Sequence, residues 1–186
     1  MNKSSPLRLA GWSAYLTATA TIVGFVTLIT FFIVGEPYGT INDISSVVIA
    51  LSALPILFAL YQLHRSAAPT VSLTALIIGV IGALSAAVFQ TILITTRKTY
   101  GDAASMSFGV FGISLVMYGY LSLIDKMLPR RLAWLGIVAG IGYVLVITGF
   151  ILGGENHPLT YIGGLAAIIG YPAWAIWLGR VFLKPS

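Results

Sequence analysis

Residues 132–154 read LAWLGIVAGIGYVLVITGFILGG, and this stretch decides the fold because it contains no charged side chain. Arg131 precedes it and Glu155 follows it, so charge is confined to its two ends. A helix rises about 1.5 Å per residue, and about 20 apolar residues are enough to cross the roughly 30 Å of hydrocarbon in a bilayer. Residues 132–154 are therefore predicted to form a transmembrane helix.

The rest of the chain repeats this pattern. Charge-free stretches of similar length predict six spans, at residues 9–34, 44–63, 70–96, 103–124, 132–154 and 158–179. A strand of a membrane barrel needs only about 9 to 11 residues, and lipid-facing backbone must satisfy its own hydrogen bonds, so runs of this length favour helices. The predicted fold is an all-α polytopic membrane protein, a bundle of six transmembrane helices in one domain over residues 1–186.

The composition excludes a soluble protein. Charged residues make up 8% of the 186 residues, against about 25% in ordinary soluble domains, and 58% of the residues are apolar. The mean hydropathy is +0.98. A soluble fold of this length could not bury so much apolar surface, and the short connections between spans leave no room for a soluble domain.

The distribution of cations predicts the orientation. If the N-terminus lies inside, the inner segments hold eight of the ten cations: Lys3, Arg8, Arg65, Lys126, Arg130, Arg131, Arg180 and Lys184. Only Arg97 and Lys98 then lie outside. Because cytoplasmic loops carry an excess of Lys and Arg, both termini are predicted to be cytoplasmic, in the inner membrane of a bacterium. The positive net charge follows from this topology and predicts no nucleic-acid partner. Arg130, Arg131 and Arg180 are a candidate rim for anionic lipids.

No Asp, Glu, Lys, Arg or His is predicted at depth within a span. Proton relays, ion-coupled carriers, voltage sensors and retinal pigments need such a group, so these classes are disfavoured. His64 is predicted at the inner face of the membrane and His157 at the outer face. This separation excludes a haem held between the two histidines. No cofactor is predicted. His64 and Arg65 are interpreted as an interfacial pair.

Catalytic and metal-binding patterns are weak. No serine is predicted to lie beside a histidine and an acid, so nucleophilic catalysis has no visible base, and the protein is predicted not to be an enzyme. In the outer loops, His157 and Glu155 could join Glu36, Asp43 and Asp102 around a divalent metal. A solvated turn is the simpler interpretation of such loose spacing, and no metal site is predicted.

A neutral pocket is the strongest candidate for ligand binding. Pro55 and Pro172 each interrupt a span, and paired interrupted helices mark binding sites in transporters, although prolines are also common in helices that only pack. Gln90 belongs to a stripe of polar residues on the third span. Such a stripe can bind a ligand, and hydrogen bonding between helices explains it equally well. The candidate ligand pocket comprises Gln90, Tyr118, Tyr143, Pro55 and Pro172.

Two further patterns concern packing. Small residues four apart, such as Gly136 and Gly140, let helices approach closely, within the bundle or against other subunits or a second copy. At an offset of 118, residues 23–35 match residues 141–153 identically at seven of thirteen positions. This similarity predicts that helix pairs 1–2 and 5–6 are parallel repeats, unless two apolar segments align by chance.

Two short segments carry a resemblance to a known family. Arg8-Leu9-Ala10-Gly11 leads into the first span, and residues 128–136, LPRRLAWLG, lead into the fifth, followed by Ala139-Gly140. Together with the hydropathy layout, they resemble a bacterial integral-membrane family known only as a domain of unknown function. The resemblance implies an inner-membrane protein with this helix layout, and it implies no activity and no site residues.

Three functions are compatible with the sequence. The leading hypothesis is a non-catalytic accessory, assembly or structural subunit that contacts the lipid bilayer and other membrane components. The alternative is a carrier or receptor for a small neutral or lipidic molecule, which requires a cavity at membrane depth lined by Gln90, Tyr118 and Tyr143. A lipid-modifying enzyme is disfavoured because no acid or base is predicted at depth.

Overall fold

A computed structural model of the protein describes residues 5–97 and 103–184. It contains six helices: α1 (Ser5–Val34), α2 (Tyr38–His64), α3 (Pro69–Thr96), α4 (Ala103–Asp125), α5 (Arg130–Gly153) and α6 (Pro158–Leu183). All six are long and apolar enough to cross a membrane. The described ranges contain no strand. The predicted fold class, an all-helical membrane bundle, is confirmed.

The helices extend beyond the charge-free stretches that predicted them. The largest difference is at α2, which begins at Tyr38 rather than at residue 44, so that Asp43 lies inside the helix. The Glu36 carboxylate accepts hydrogen bonds from the N–H and the hydroxyl of Thr40, at 3.2 and 2.9 Å. It thereby satisfies one of the free N–H groups of the first turn. A charge thus marks the edge of the hydrocarbon but does not end the helix.

The connections are short, and they alternate between two ends of the bundle. Residues 35–37, 65–68, 126–129 and 154–157 join successive helices. We call one end the basic end, since it holds the described cations Arg8, Arg65, Lys126, Arg130, Arg131, Arg180 and Lys184. The opposite, acidic end holds Glu36, Asp43 and Glu155, together with Arg97. Lys3, Lys98 and Asp102, which also entered the predicted charge distribution, lie outside the described residues.

The six helices form a closed ring. Each helix packs against its neighbours in sequence, and α6 packs against α1 to complete the circuit. In addition, α2 and α4 contact each other across the ring. Fully buried side chains fill its interior, including Leu57, Leu115, Tyr118 and Tyr171. Large apolar side chains also cover the outside, as Phe32 and Ile33 show, each 78% exposed. The outer surface is therefore suited to lipid.

Glycines allow α4 to approach both α3 and α5 until the backbones touch. A Cβ placed on Gly82 of α3 would lie 2.5 Å from the backbone nitrogen of Phe111 on α4. A Cβ on Gly140 of α5 would lie 2.6 Å from the carbonyl oxygen of Gly112 on α4, and one on Gly112 would lie 2.7 Å from the carbonyl oxygen of Gly140. Because lipid supplies no hydrophobic force between helices, such close contact is a main source of their association.

The two hairpins of the predicted repeat each contain a helix contact at equivalent positions. Gly24 on α1 faces Ser45 on α2, where an added Cβ would lie 3.2 Å from the serine Cβ. Gly142 on α5 faces Gly163 on α6, where an added Cβ would lie 2.9 Å from the carbonyl oxygen of Gly163. Both residues of the second pair lie 118 positions after those of the first. This correspondence supports the repeat, which stays a prediction.

Candidate functional site

A buried histidine lies between an aspartate and a serine at the basic end. His64 is the last residue of α2, and its Nδ1 lies 2.5 Å from Oδ2 of Asp125, the last residue of α4. On the other side of the imidazole, Nε2 of His64 lies 3.1 Å from Oγ of Ser122. His64 is 0% exposed, and the side chain of Asp125 is 8% exposed. We call Ser122, His64 and Asp125 the Ser–His–Asp array.

The contact of α2 with α4 across the ring assembles this array. Ser122 and Asp125 are three residues apart and therefore share one face of α4. One turn before Ser122, the ring of Tyr118 stacks on His64 with centroids 5.9 Å apart. The Tyr118 hydroxyl donates to the carbonyl oxygen of Ser72 on α3, at 3.0 Å. Residues of α4 thus contact the imidazole at both nitrogens and on one face, and Tyr118 also bonds α3.

The polar atoms of the array have partners on every side. The second carboxylate oxygen of Asp125 accepts a hydrogen bond from the N–H of Met127 at 3.0 Å, just beyond the end of α4. Ser122 Oγ also lies 2.8 Å from the carbonyl oxygen of Tyr118, so its hydroxyl can donate either to that carbonyl or to His64. When Asp125 accepts the proton on Nδ1, Nε2 presents its lone pair to the serine hydroxyl.

The array overturns two predictions. The expectation that no serine has a base beside it is wrong, because Ser122 contacts His64, which contacts Asp125. The interpretation of His64 as half of an interfacial pair is also wrong: His64 is fully buried, and only Arg65 is exposed. The sequence held one signal. His64 and Asp125 end spans that cross in the same direction, so both fall at the same end of the bundle.

Two surface cavities open at the basic end. Ser122 lines one of about 460 Å³, together with Leu123, Lys126, Leu128 and Arg130. The other, of about 490 Å³, is lined by Pro129, Ala173, Ile176, Trp177, Arg180, Val181 and Lys184. The predicted lipid rim is thus divided: Arg130 faces the first cavity and Arg180 the second, while Arg131 is exposed beside Arg130 at the start of α5.

The residues of the predicted ligand pocket are dispersed. Gln90 Nε2 donates to Oδ1 of Asp43 at 3.2 Å, near the acidic end. Tyr118 bonds Ser72, which precedes Gln90 by eighteen residues on α3, or about 27 Å along a helix axis. The structure does not bring Gln90 to Tyr118. The cavities at the basic end, and a third of about 230 Å³ beside Gly82, are lined by other residues.

Of the remaining members of that pocket, Tyr143 belongs to an aromatic cluster. Tyr143 on α5 packs against Tyr171 on α6, with ring centroids 5.7 Å apart, and against Phe108 and Phe111 on α4. Pro172 is buried next to Tyr171 in the chain, whereas Pro55 is partly buried within α2. The structure therefore places Tyr143, which is partly buried, against aromatic side chains of the core, and it shows no contact of Tyr143 with either proline among the described residues.

The acidic end holds a looser set of polar contacts. Arg97 contacts Glu36 at 3.5 Å and donates to the hydroxyl of Thr40 at 3.0 Å, and both charged side chains are more than half exposed. His157 accepts from the N–H of Leu159 at the start of α6. Over residues 5–97 and 103–184, no three His, Asp or Glu side chains are grouped to hold a metal ion. Asp102, one of the residues considered for such a group, lies outside these ranges.

A comparison with protein families finds one relation. A family model described as "Domain of unknown function (DUF4386)" matches residues 85–179, just over half of the chain. The matched region includes the LPRRLAWLG segment, Ser122 and Asp125, and it begins after His64. No curated protein and no solved structure matches the chain.

Proposed function

Since this chain belongs to the family described as Domain of unknown function (DUF4386), we propose that it is a subunit of the bacterial cytoplasmic membrane that works by contacting other membrane components. Its role is accessory, in assembly or in structure. The observation that carries this proposal is a ring of helices with a packed interior and an apolar exterior. The exterior is the surface that remains for partners, lipids or a second copy.

The distribution of charge supports an orientation with both termini in the cytoplasm. Among residues 5–97 and 103–184, seven Lys and Arg side chains lie at the basic end, and one, Arg97, lies at the acidic end. Cytoplasmic segments are enriched in Lys and Arg, and a charge difference of this kind sets the direction of insertion. The Ser–His–Asp array and the two cavities with Arg130 and Arg180 then face the cytoplasmic leaflet, whose anionic lipids attract cations.

The packing of the interior favours the subunit over the carrier. A carrier needs a cavity at membrane depth, and its predicted lining residues already have other contacts: Gln90 bonds Asp43, Tyr118 bonds Ser72, and Tyr143 packs among aromatic rings. Hydrogen bonds between helices thus account for the polar groups that suggested a ligand. The paired prolines, Pro55 and Pro172, are the remaining support for the carrier.

Purification from native membranes tests this proposal. We expect the tagged protein, extracted in a mild detergent and analysed by native mass spectrometry, to carry another membrane protein or a second copy at fixed stoichiometry. The same complex is expected in a second detergent. A six-span membrane protein of similar hydropathy, carrying the same tag, is the control for non-specific capture. A monomer that carries a bound small molecule through both purifications would contradict the subunit and support the carrier.

A further inference from the structure

We propose that Ser122 is a nucleophile activated by His64 and Asp125, and that it accepts the acyl group of an ester that carries a negative charge. The order of contacts is the one used in acyl transfer. A carboxylate holds Nδ1 of the imidazole at 2.5 Å, and a serine hydroxyl faces Nε2 at 3.1 Å. This inference goes beyond the proposed function and does not depend on it.

Each partner of His64 has a separate role. The Asp125 carboxylate fixes the proton on Nδ1 and stabilises the imidazolium that forms when Nε2 takes a proton; it is a positioning residue. Its other oxygen is held by the N–H of Met127. The stacked ring of Tyr118 restricts rotation of the imidazole. With Nδ1 occupied, Nε2 is the atom free to act as base toward Ser122.

The cavity beside Ser122 indicates the class of ester. Its walls include the apolar side chains Leu123 and Leu128, and its cations, Lys126 and Arg130, are exposed. An amphiphile with an acyl chain and an anionic head matches this combination. Ser122 lies three residues before the end of α4, about 4.5 Å along the helix axis. Lys126 and Arg130 follow directly, and the enrichment of cations at this end predicts that it lies at a membrane surface. Ser122 is then near the depth at which membrane lipids carry their ester groups.

The proposed reaction is hydrolysis through an acyl-enzyme. Ser122 Oγ attacks the carbonyl carbon of the ester while its proton passes to Nε2 of His64. The bond between the carbonyl carbon and the alcohol oxygen breaks, and the alcohol leaves with the proton from Nε2. Water then attacks the acyl-serine by the same route, which releases the carboxylic acid and restores the Ser122 hydroxyl. Ester and water are consumed, and acid and alcohol are formed.

Labelling with a fluorophosphonate tests the nucleophile. In this reaction Oγ bonds to phosphorus, fluoride leaves, and the serine proton passes to His64. With the folded protein in nanodiscs, we expect tandem mass spectrometry to find one adduct, on Ser122. Ser122→Ala should abolish it. Ser107→Ala is the matched control, since Ser107 is a buried serine on α4 with the same type of bond to the carbonyl four residues earlier and no histidine partner.

Two conservative variants test the base. His64→Gln and Asp125→Asn should each lower the rate of labelling by about 10²-fold or more, the usual contribution of a general base. Labelling is compared only among variants whose thermal unfolding in nanodiscs is cooperative. One folded variant of the two is sufficient to test the role of the base. A folded wild-type protein with no adduct on Ser122 would overturn the proposal, and so would a folded variant that is labelled at the wild-type rate.

The charge of the ester is tested separately. Lys126→Gln combined with Arg130→Gln should lower the rate with a carboxylate-bearing fluorophosphonate by a larger factor than the rate with a neutral one. Equal rates for the anionic probe in the wild type and in this variant would overturn the anionic substrate while leaving the nucleophile in place. Because labelling uses the purified protein alone, its outcome is independent of any partner found by co-purification.

Discussion

Gly140→Asp is expected to prevent the protein from accumulating in a folded, inserted form. Gly140 lies in the middle of α5, where an added Cβ would meet the carbonyl oxygen of Gly112 at 2.6 Å and the backbone nitrogen of Val116 at 2.9 Å. These are backbone atoms of α4 and cannot rotate away. The carboxylate adds about 2.5 to 3.5 kcal/mol for a charge at the centre of a span. Membrane fractionation and protease resistance measure the effect.

Alanine substitutions separate the steric part from the charge. Gly140→Ala should lower the free energy of unfolding by about 1 to 3 kcal/mol, the usual cost of overpacking. Gly164→Ala is the matched control, because an added Cβ on Gly164 of α6 meets nothing within 4 Å. Helix propensity alone should make that variant slightly more stable. Normal insertion of Gly140→Asp would mean that α4 and α5 separate at this point and that water reaches the gap.

Asp125→Ala is expected to lower the free energy of unfolding by about 3 kcal/mol, as the removal of one partner from a buried pair does. The substitution leaves Nδ1 of His64 without its acceptor inside the bundle, and it also removes the acceptor of the Met127 N–H. Titration with SDS in mixed micelles measures the change. Glu155→Ala, which removes an exposed carboxylate at the acidic end, should change stability by less than about 0.5 kcal/mol.

A double variant tests whether the stability lost in Asp125→Ala comes from leaving His64 without its partner. Because hydrophobic replacement of both partners removes the cost of an unpaired group, His64→Phe with Asp125→Leu should be more stable than Asp125→Ala. If Asp125→Ala matches Glu155→Ala in stability, then Asp125 does not hold His64 and the ends of α2 and α4 are not joined by this contact.

The positions of the helices could be predicted from the sequence, because in a membrane protein the hydrocarbon thickness determines how long an uncharged stretch must be. The exact ends could not. The predicted start of α2 was late by six residues, since a helix continues through the interface past Asp43 once Glu36 satisfies its first turn. Charge reports the edge of the lipid, and backbone hydrogen bonding determines the end of the helix.

The Ser–His–Asp array could not be predicted from spacing. Ser122 and Asp125 are near in sequence, but His64 lies 58 residues before Ser122, and the three meet because α2 and α4 touch across the ring. The sequence gives the direction of each span and therefore the end at which a residue lies. It does not give the order of helices around the ring. The grouping of Gln90 and Tyr118 in one pocket has a different cause: both lie late in consecutive spans that run in opposite directions, so the sequence itself places them toward opposite ends of the bundle.

The central claim is that His64 is held between Asp125 and Ser122 inside the bundle, and NMR of the histidine rings tests it most directly. The chain has two histidines, so ¹⁵N-histidine labelling gives a simple spectrum, and His157→Gln assigns it. A short bond to a carboxylate predicts one far-downfield proton on Nδ1 of His64 that exchanges slowly with water, and Asp125→Asn should move it upfield. The account would be contradicted if the imidazole N–H protons of both histidines exchanged rapidly with water and if Asp125→Asn had no effect on the spectrum.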